Sequence, residues 1–241
     1  DARGAFSAAR SAGFANINID LMYGLPGQTL STAMRDLEIA ISLQSEHLSW
    51  YQLTIEPATY FHKFPPKLPE EDQLWQFCEQ GLDMLERSGF DRYEISAFSK
   101  TSYRCQHNRN YWMFGDYLGV GAGAHGKIST IASEPDTKNA VTRTTKTRSP
   151  TDYMLNSSRQ RRAVPEKSLL LEFMMNSLRL REGFTLRAFE SRTGLSRDQM
   201  TDFLEAGLER KLLQRDGEND EHIFPTDLGM RYLDDLLLLI D

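Results

Sequence analysis

The first half of the chain alternates between the apolar periodicities of strands and of helices. Within NINIDLMYG, Ile17, Ile19 and Leu21 share one face of a two-residue repeat. Asn18 and Asp20 occupy the other face, which predicts a strand. Further strands are predicted at HLSWYQLTIEP and RYEISAFS, and helices at ARGAFSAARSAG, TLSTAMRDLEIAISL and QLWQFCEQGLDMLERSG. Because helices and strands alternate, we expect an α/β layer or barrel of parallel strands, with ligands bound at their carboxyl ends.

The second half of the chain changes its pattern twice. From 131 to 164 the sequence is polar and basic, which predicts a connecting segment with one extended piece at AVTRTTKTR. Beyond it, helices are predicted at SLLLEFMMNSLRLREG, TLRAFESRTG, SRDQMTDFLEAGLERK and DLGMRYLDDLLLLI, with a hairpin at LLQRDGENDEHIFPT. Three helices, a hairpin and a helix outline a small winged-helix-like α+β domain. The predicted domains are therefore 1–130, 131–164 and 165–241.

The distribution of charge argues against nucleic acid as a partner. The net charge of −6 falls on 165–241, which has 10 basic and 16 acidic residues. The presumed recognition helix at 196–211 is itself more acidic than basic. Because phosphates require a positive surface, we expect no nucleic-acid binding, and protein contact is the better interpretation of this domain.

The composition is that of an ordinary globular protein, with 40% hydrophobic and 26% charged residues. No apolar run is long enough to span a bilayer, and no secretory signal is present. The two cysteines, Cys78 and Cys105, are too few for a disulfide framework. These features predict a cytoplasmic location.

Asp20 and the turn that follows it are the first candidates for chemistry. The turn GLPGQT lacks the lysine of a P-loop and the spacing of a GxGxxG dinucleotide motif, so we interpret it as a strand-to-helix turn. Asp20 lies near the carboxyl end of its strand, where it could accept hydrogen bonds from a ribose or an amine. The alternative, a carboxylate that caps a neighbouring loop, fits the pattern equally well.

The second candidate is RCQHNRNYWMFGDYLGVGAGAHGK, which is rich in rings and glycines. His107 is of a type that ligates haem iron, and Tyr111 and Trp112 offer flat faces to a macrocycle. Alternatively, His107 bonds within a loop and the aromatic rings cap the core. His125 lies among small residues that allow close approach to the backbone. Cys105 and His107 form only a C-x-H pair, which is no metal site by itself.

Several of these stretches together resemble one known family. NINIDLMYGLPGQT, LSWYQLTIEP, YEISAFS, CQHNRNYW and GDYLGVGAGAHGK, in this order, resemble the HemW-like radical S-adenosylmethionine (SAM) haem chaperones. That family is similar to the oxygen-independent coproporphyrinogen III oxidases. The resemblance covers nearly the whole chain. HNRNYW fits the HNxxYW pattern that the family links to haem binding and that separates it from the oxidases.

The resemblance implies a fold and a set of partners. The fold is the last part of a partial (βα)6 radical SAM barrel, including the HNxxYW loop, followed by the winged-helix-like domain. The implied partners are haem and the recipient haem proteins of the respiratory chain, with peripheral membrane association through them. The implied cofactors of the whole protein are SAM and a [4Fe–4S] cluster.

The resemblance also implies roles for six residues. Asp20, Thr54 and His125 match positions that contact SAM. The three haem-contacting positions are His107, Tyr111 and Trp112, with His107 as the iron ligand.

One element of the family is absent from this sequence. The cluster-binding CxxxCxxC motif supplies three thiolates, whereas the chain has two isolated cysteines. We therefore expect that the chain lacks the cluster segment and four of the six barrel strands, and that it does not cleave SAM by itself. Two other functions stay open. One is a porphyrin-synthesising oxidase, against which HNRNYW argues, and the other is a non-enzymatic docking module that uses the acidic carboxy-terminal domain.

Overall fold

A computed structural model describes residues 2–130, 140–155, 159–216 and 219–240 of the chain. The chain divides into two compact units, residues 1–105 and 106–241. Helices and strands are mixed in both units. In the described ranges, no helix is both long enough and apolar enough to cross a membrane.

The first unit is built on one four-stranded sheet. Its elements are α1 (Ala2–Ser11), β1 (Asn18–Tyr23), α2 (Leu30–Ser42), β2 (His47–Gln52), α3 (Tyr60–Lys63), α4 (Glu71–Arg87), β3 (Asp91–Glu94) and β4 (Ala97–Ser99). β1 and β2 are parallel, as predicted, and α2 forms the crossover between them. α2 begins after Thr29, whose hydroxyl accepts a hydrogen bond from the Thr32 amide and so satisfies a free donor of the first turn.

The third predicted strand, RYEISAFS, is two short strands rather than one. Glu94 accepts hydrogen bonds from the amide and the hydroxyl of Ser96, which holds a tight reversal between β3 and β4. β4 pairs antiparallel with β2 on one side and β3 on the other, so the sheet order is β1-β2-β4-β3. The expectation of parallel strands is confirmed for β1 and β2 and is wrong for this segment, because a local side-chain contact reverses the chain.

The core of the first unit is a single cluster contributed by α2, α4 and the sheet. Trp50 on β2 lies directly against Gly81 of α4, where an added Cβ would come within 1.8 Å of the indole Cη2. Tyr23 packs on the same indole, with ring centroids 4.4 Å apart. Burial raises the pKa of the Tyr23 hydroxyl, and the nearby Cys78 thiol raises it further. The buried face of β1 and β2 is therefore apolar and aromatic.

The second unit contains two antiparallel sheets of three strands each. Its elements are α5 (Gln106–Trp112), β5 (His125–Thr130), β6 (Ala140–Lys146), α6 (Pro150–Leu155), β7 (Arg159–Ala163), α7 (Glu166–Ser177), β8 (Phe184–Thr185), α8 (Leu186–Thr193), a 3-10 turn (Arg197–Met200), α9 (Thr201–Glu209), β9 (Leu213–Asp216), β10 (Asn219–Pro225), α10 (Asp227–Arg231) and α11 (Leu233–Leu237). The sheet orders are β5-β6-β7 and β8-β10-β9. The extended piece predicted at AVTRTTKTR is confirmed as β6. Phe173 is the centre of the core, in edge contact with Phe114, Phe184 and Phe189.

Four segments of this unit differ from their sequence-based predictions. HNRNYW is the helix α5 and not a loop, because the α5 side chains Arg109 and Trp112 contact the protein beyond them. The helix predicted to reach Gly183 ends at Ser177. Gly183 lies outside it, at φ +60°, with the backbone of β10 2.0 Å from where a Cβ would lie. The helix predicted from Ser196 is a 3-10 turn followed by α9, and the last helix is interrupted between α10 and α11.

Candidate functional site

A chain of hydrogen bonds on the polar face of β1 and β2 ends at Asp20. Asn18 Nδ2 donates to Asp20 Oδ1 at 2.9 Å, which leaves Asn18 Oδ1 as an acceptor. His47 Nδ1 lies 2.6 Å from that oxygen and therefore donates to it. The other ring nitrogen of His47 accepts from the Tyr93 hydroxyl at 2.7 Å. The Tyr93 oxygen in turn accepts from the Cys105 amide at 3.2 Å.

His47 is the buried centre of this network. The side chain is 3% exposed, and burial lowers the pKa of the imidazole, although the carboxylates of Asp20 and Glu94 act in the opposite direction. A neutral imidazole with the proton on Nδ1 satisfies both neighbours at once. The Asp20 side chain at the end of the network is exposed, so it can meet solvent or a ligand.

The GLPGQT turn is closed by its own glutamine. Gln28 Oε1 accepts hydrogen bonds from the amides of Gly24 at 2.8 Å and Leu25 at 3.2 Å. A bound phosphate would need those amides as donors, and here they are already used. This contact supports the interpretation of the stretch as a strand-to-helix turn.

Thr54 lies two residues beyond β2 and has an exposed side chain. Asp20 is opposite Ser49 in the β1–β2 register, five residues before Thr54. Asp20 and Thr54 therefore lie in the same unit, on or just after neighbouring strands, but they are not register partners.

His107 is exposed on α5. Its ring meets the ring of Tyr111, one helical turn later, at 4.9 Å between centroids and at an interplanar angle of 79°. Within the described ranges, neither ring nitrogen of His107 has a hydrogen-bond partner. The imidazole is therefore not sealed in the core, and an incoming metal centre can reach it.

Trp112, the other predicted stacking residue, is held by the protein itself. The Arg179 guanidinium lies 4.5 Å from the centroid of the indole, a cation–π contact. Arg109, also on α5, forms an ion pair with Glu182. These contacts fasten α5 to the end of α7, so the helix that carries His107 has a fixed support.

Tyr117 joins His107 and Tyr111 in a row of contacting rings, the aromatic row. Tyr117 was not singled out from the sequence. Its ring is 4.5 Å from that of Tyr111, and its hydroxyl accepts a hydrogen bond from Arg143 of β6 at 2.8 Å. Arg143 also pairs with Glu172 of α7 at 2.6 Å. No periodic pattern relates Tyr111 to Tyr117, because the chain turns between them.

Lys127 is a buried cation that the sequence did not indicate. It is 2% exposed, and its ammonium donates to the Phe114 carbonyl at 2.9 Å, to Asp116 Oδ1 at 3.0 Å and to the Ser129 hydroxyl at 3.1 Å. Burial lowers the pKa of Lys127, while Asp116 acts against that shift. Burial by itself would raise the pKa of Asp116, but hydrogen bonds from Ser129 and Lys127 outweigh it and lower that pKa. Lys127 thereby ties the turn after α5 to β5.

His125 begins β5, and its side chain is exposed. The glycines around it serve mainly for contacts within the chain. A Cβ at Gly119 would lie 2.3 Å from the His125 carbonyl oxygen, and one at Gly126 would lie 2.5 Å from Thr144 Oγ1. At Gly121, with φ of +102°, nothing lies within 4 Å of an added Cβ, so space is left open only at that point of the loop.

Arg197, in the winged-helix-like part, forms ion pairs within the protein. Arg197 pairs with Glu190 at 2.8 Å and with Glu221 at 2.7 Å. Both carboxylates raise the pKa of Arg197 and keep it charged. This guanidinium is therefore already neutralised by its own neighbours.

Comparison with known proteins finds relatives along nearly the whole chain. A family model described as the HemN C-terminal domain matches residues 164–232. The chain is 40% identical over 240 residues to "Heme chaperone HemW" of Haemophilus influenzae and 42% identical over 243 residues to "Heme chaperone HemW" of Escherichia coli. Both alignments cover 99% of this chain. The chain is thus similar to HemW proteins over nearly its whole length. It spans 60% and 61% of these two HemW proteins, respectively.

A solved structure with the same fold extends the comparison. The structure titled "Coproporphyrinogen III oxidase (HemN) from Escherichia coli is a Radical SAM enzyme" matches the whole chain with a TM-score of 0.73. The match covers 58% of the HemN chain. At 17% sequence identity, this match supports a shared fold and nothing more. The α/β fold class predicted from the sequence is thereby confirmed, as is the resemblance to the HemW-like family.

Proposed function

We propose that this chain is part of a haem chaperone, and that it binds haem and passes it to recipient haem proteins of the respiratory chain. The observation that carries the proposal is the exposed imidazole of His107, which has no hydrogen-bond partner among the described residues and lies beside an aromatic row. A neutral imidazole is a common ligand of haem iron. Peripheral membrane association would then arise through the recipients.

The surroundings of His107 suit a carrier that must also release its cargo. Tyr111 and Tyr117 form an apolar, polarizable row next to the imidazole, which favours contact with a flat macrocycle. The Trp112 indole packs against the Arg179 guanidinium and so anchors α5. It also adds an aromatic ring at the end of this helix. One protein ligand on an exposed helix binds iron less tightly than two buried ones, so haem can be handed on.

The residues proposed to contact SAM are Asp20, Thr54 and His125, and each has an exposed side chain. Asp20 fits a role as acceptor for an amine or a ribose hydroxyl, because its carboxylate is exposed and is held through Asn18. SAM supplies radical chemistry only with a cluster. Among the described residues no group of three or more His, Cys, Asp or Glu could hold a metal ion, and the chain has two cysteines against the three that a cluster needs. These residues do not fit a cluster, and the role proposed for Asp20, Thr54 and His125 is to bind SAM.

The haem proposal is tested by titrating the purified chain with haem and following the Soret band. We expect a saturable shift in the wild-type protein and an apparent Kd raised about tenfold or more in His107→Ala, which corresponds to about 1.4 kcal/mol. His62→Ala is the matched control, since His62 is another exposed histidine. Tyr111→Leu should weaken binding by less while leaving the ligand signature of the spectrum unchanged.

Two results would count against the proposal. If His107→Ala and His62→Ala titrate identically, His107 is not the ligand. If the wild-type protein shows only the unsaturable spectral change of haem adsorbed to any protein, haem is not its cargo.

A further inference from the structure

Among the residues that the structure describes, the outer edge of β7 pairs with no further strand. β7 is the last strand of the β5-β6-β7 sheet. Val164 donates to the Val141 carbonyl at 2.8 Å, so residues 164 and 141 form a hydrogen-bonded antiparallel pair. In an antiparallel ladder such pairs alternate with pairs whose amides and carbonyls point away from each other. Arg161, opposite Thr144, and Ala163, opposite Thr142, belong to the second kind. Their backbone N–H and C=O groups therefore point outward, along the free edge.

The part of the chain that contains this edge is positively charged. The segment 140–164 contains six arginines and lysines and one aspartate, so its net charge is +5 in a chain whose net charge is −6. Arg161 and Arg162 are both exposed, and successive residues of a strand point to opposite faces. Within the described ranges, neither guanidinium has an ion-pair partner, whereas Arg10, Arg143 and Arg197 are each paired with a glutamate.

We propose that the β7 edge is a docking site for an acidic, extended segment of a partner protein, which adds to the sheet as a fourth strand. The outward N–H and C=O groups at Arg161 and Ala163 would pair with the partner's backbone. Acidic side chains of the partner would meet Arg161 on one face of the sheet and Arg162 on the other. The inference uses none of the residues proposed to hold haem, and it does not depend on haem binding.

The geometry favours a peptide over other anions. Phosphates of a nucleic acid or of a lipid headgroup can neutralise Arg161 and Arg162, but they offer no donors for the outward carbonyls. A peptide strand offers both donors and acceptors at the right spacing. Charges on an edge strand also oppose pairing between like strands. Here they repel a second copy of β7 and leave an acidic strand as the favoured occupant.

The test is a fluorescence-anisotropy titration of the haem-free chain with labelled peptides. The first peptide alternates Glu and Thr and can pair as a strand. The second alternates Glu and Pro, with the same charge but without backbone donors on the prolines. We expect the Glu–Thr peptide to bind with a Kd at least tenfold lower than the Glu–Pro peptide.

Three variants separate backbone pairing from charge. Arg161→Glu with Arg162→Glu should raise the Kd for the Glu–Thr peptide more than tenfold, whereas Arg187→Glu with Arg210→Glu, a matched pair of exposed arginines in the same unit, should change it less than threefold. Ala163→Pro removes one outward N–H without touching the ladder to β6, and it should weaken the Glu–Thr peptide to the level of the Glu–Pro peptide.

Each alternative outcome decides against the proposal. Equal binding of the two peptides to the wild-type chain would mean that only charge attracts them and that no strand is added. This comparison needs no variant, so it holds even if a variant fails to fold. Absence of saturable binding of the Glu–Thr peptide would remove the site. If phosphatidylglycerol vesicles or polyuridylate compete as well as the Glu–Thr peptide per unit charge, the surface is one for phosphates. If the charge-reversed pair binds normally, the arginines are not involved.

Discussion

Replacement of His47 by glutamine should remove a pH-dependent part of the stability of the first unit. Burial lowers the pKa of His47 below its ordinary value of 6.5, so between those two values the unfolded chain binds more protons than the folded one. The stability that the neutral imidazole contributes is complete above pH 6.5 and is lost as the pH falls toward the folded pKa. At pH 5.5 the loss is at most about 1.4 kcal/mol, because one pKa unit corresponds to about 1.36 kcal/mol.

At pH 7.5 the variant should already be less stable by about 1–3 kcal/mol, because the buried Tyr93 hydroxyl and the Asn18 oxygen lose a well-placed partner. At pH 5.5 the difference in unfolding free energy between wild type and His47→Gln should be smaller than at pH 7.5, by at most about 1.4 kcal/mol, since glutamine does not titrate. The narrowing is the specific signature of the histidine.

Urea denaturation at the two pH values measures this effect when Trp50 is the only tryptophan, in a background of Trp75→Phe and Trp112→Phe. Trp50 lies in the core of the unit that contains His47, so its emission follows the unfolding of that unit. His62→Gln serves as the control for removal of an exposed histidine. An equal difference between wild type and His47→Gln at both pH values would refute the reasoning.

Two further predictions concern buried contacts. Gly81→Ala should lower the stability of the first unit by about 1–3 kcal/mol, because the new methyl group would overlap the indole of Trp50. The control is Gly4→Ala, which has nothing within 4 Å of its Cβ and should be neutral or stabilising in the same urea assay. Lys127→Met should cost about 2–4 kcal/mol, because the carbonyl and carboxylate around the ammonium lose their charged donor; a Tm equal to that of wild type by differential scanning calorimetry would contradict this.

The elements that were predicted well are those whose information lies within a few residues. The alternation of Ile17, Ile19 and Leu21 and the capping by Thr29 are local, and both β1 and α2 appear where expected. RYEISAFS also alternates, but the contact between Glu94 and Ser96 overrides the pattern and turns the chain back. A periodic pattern reports which faces are apolar and not whether the strand continues.

The candidate site was predictable in part for the same reason. The rings around His107 stand out by composition, and its partner Tyr111 follows at helical spacing. The partners of the buried groups are far apart in sequence. His47 bonds to residues 29 and 46 positions away, and Lys127 bonds to carbonyl and carboxylate groups 11 to 13 positions before it. Within its own stretch of sequence, each of these groups shows only as a single histidine or lysine among apolar residues or glycines, and the partner cannot be identified there.

The place of β2 inside its sheet has a consequence for amide exchange. β2 is hydrogen-bonded to β1 on one edge and to β4 on the other, and His47, Leu48 and Trp50 are buried. Its protons can reach deuterated solvent only when the whole unit opens, so they report the global free energy. α1 buries no residue, and its link to the sheet includes the ion pair of Arg10 with Glu46, so it can fray without disturbing the rest. Amide exchange in the first unit should therefore range from fast in α1 to slow in β2, the strand next to the one that carries Asp20.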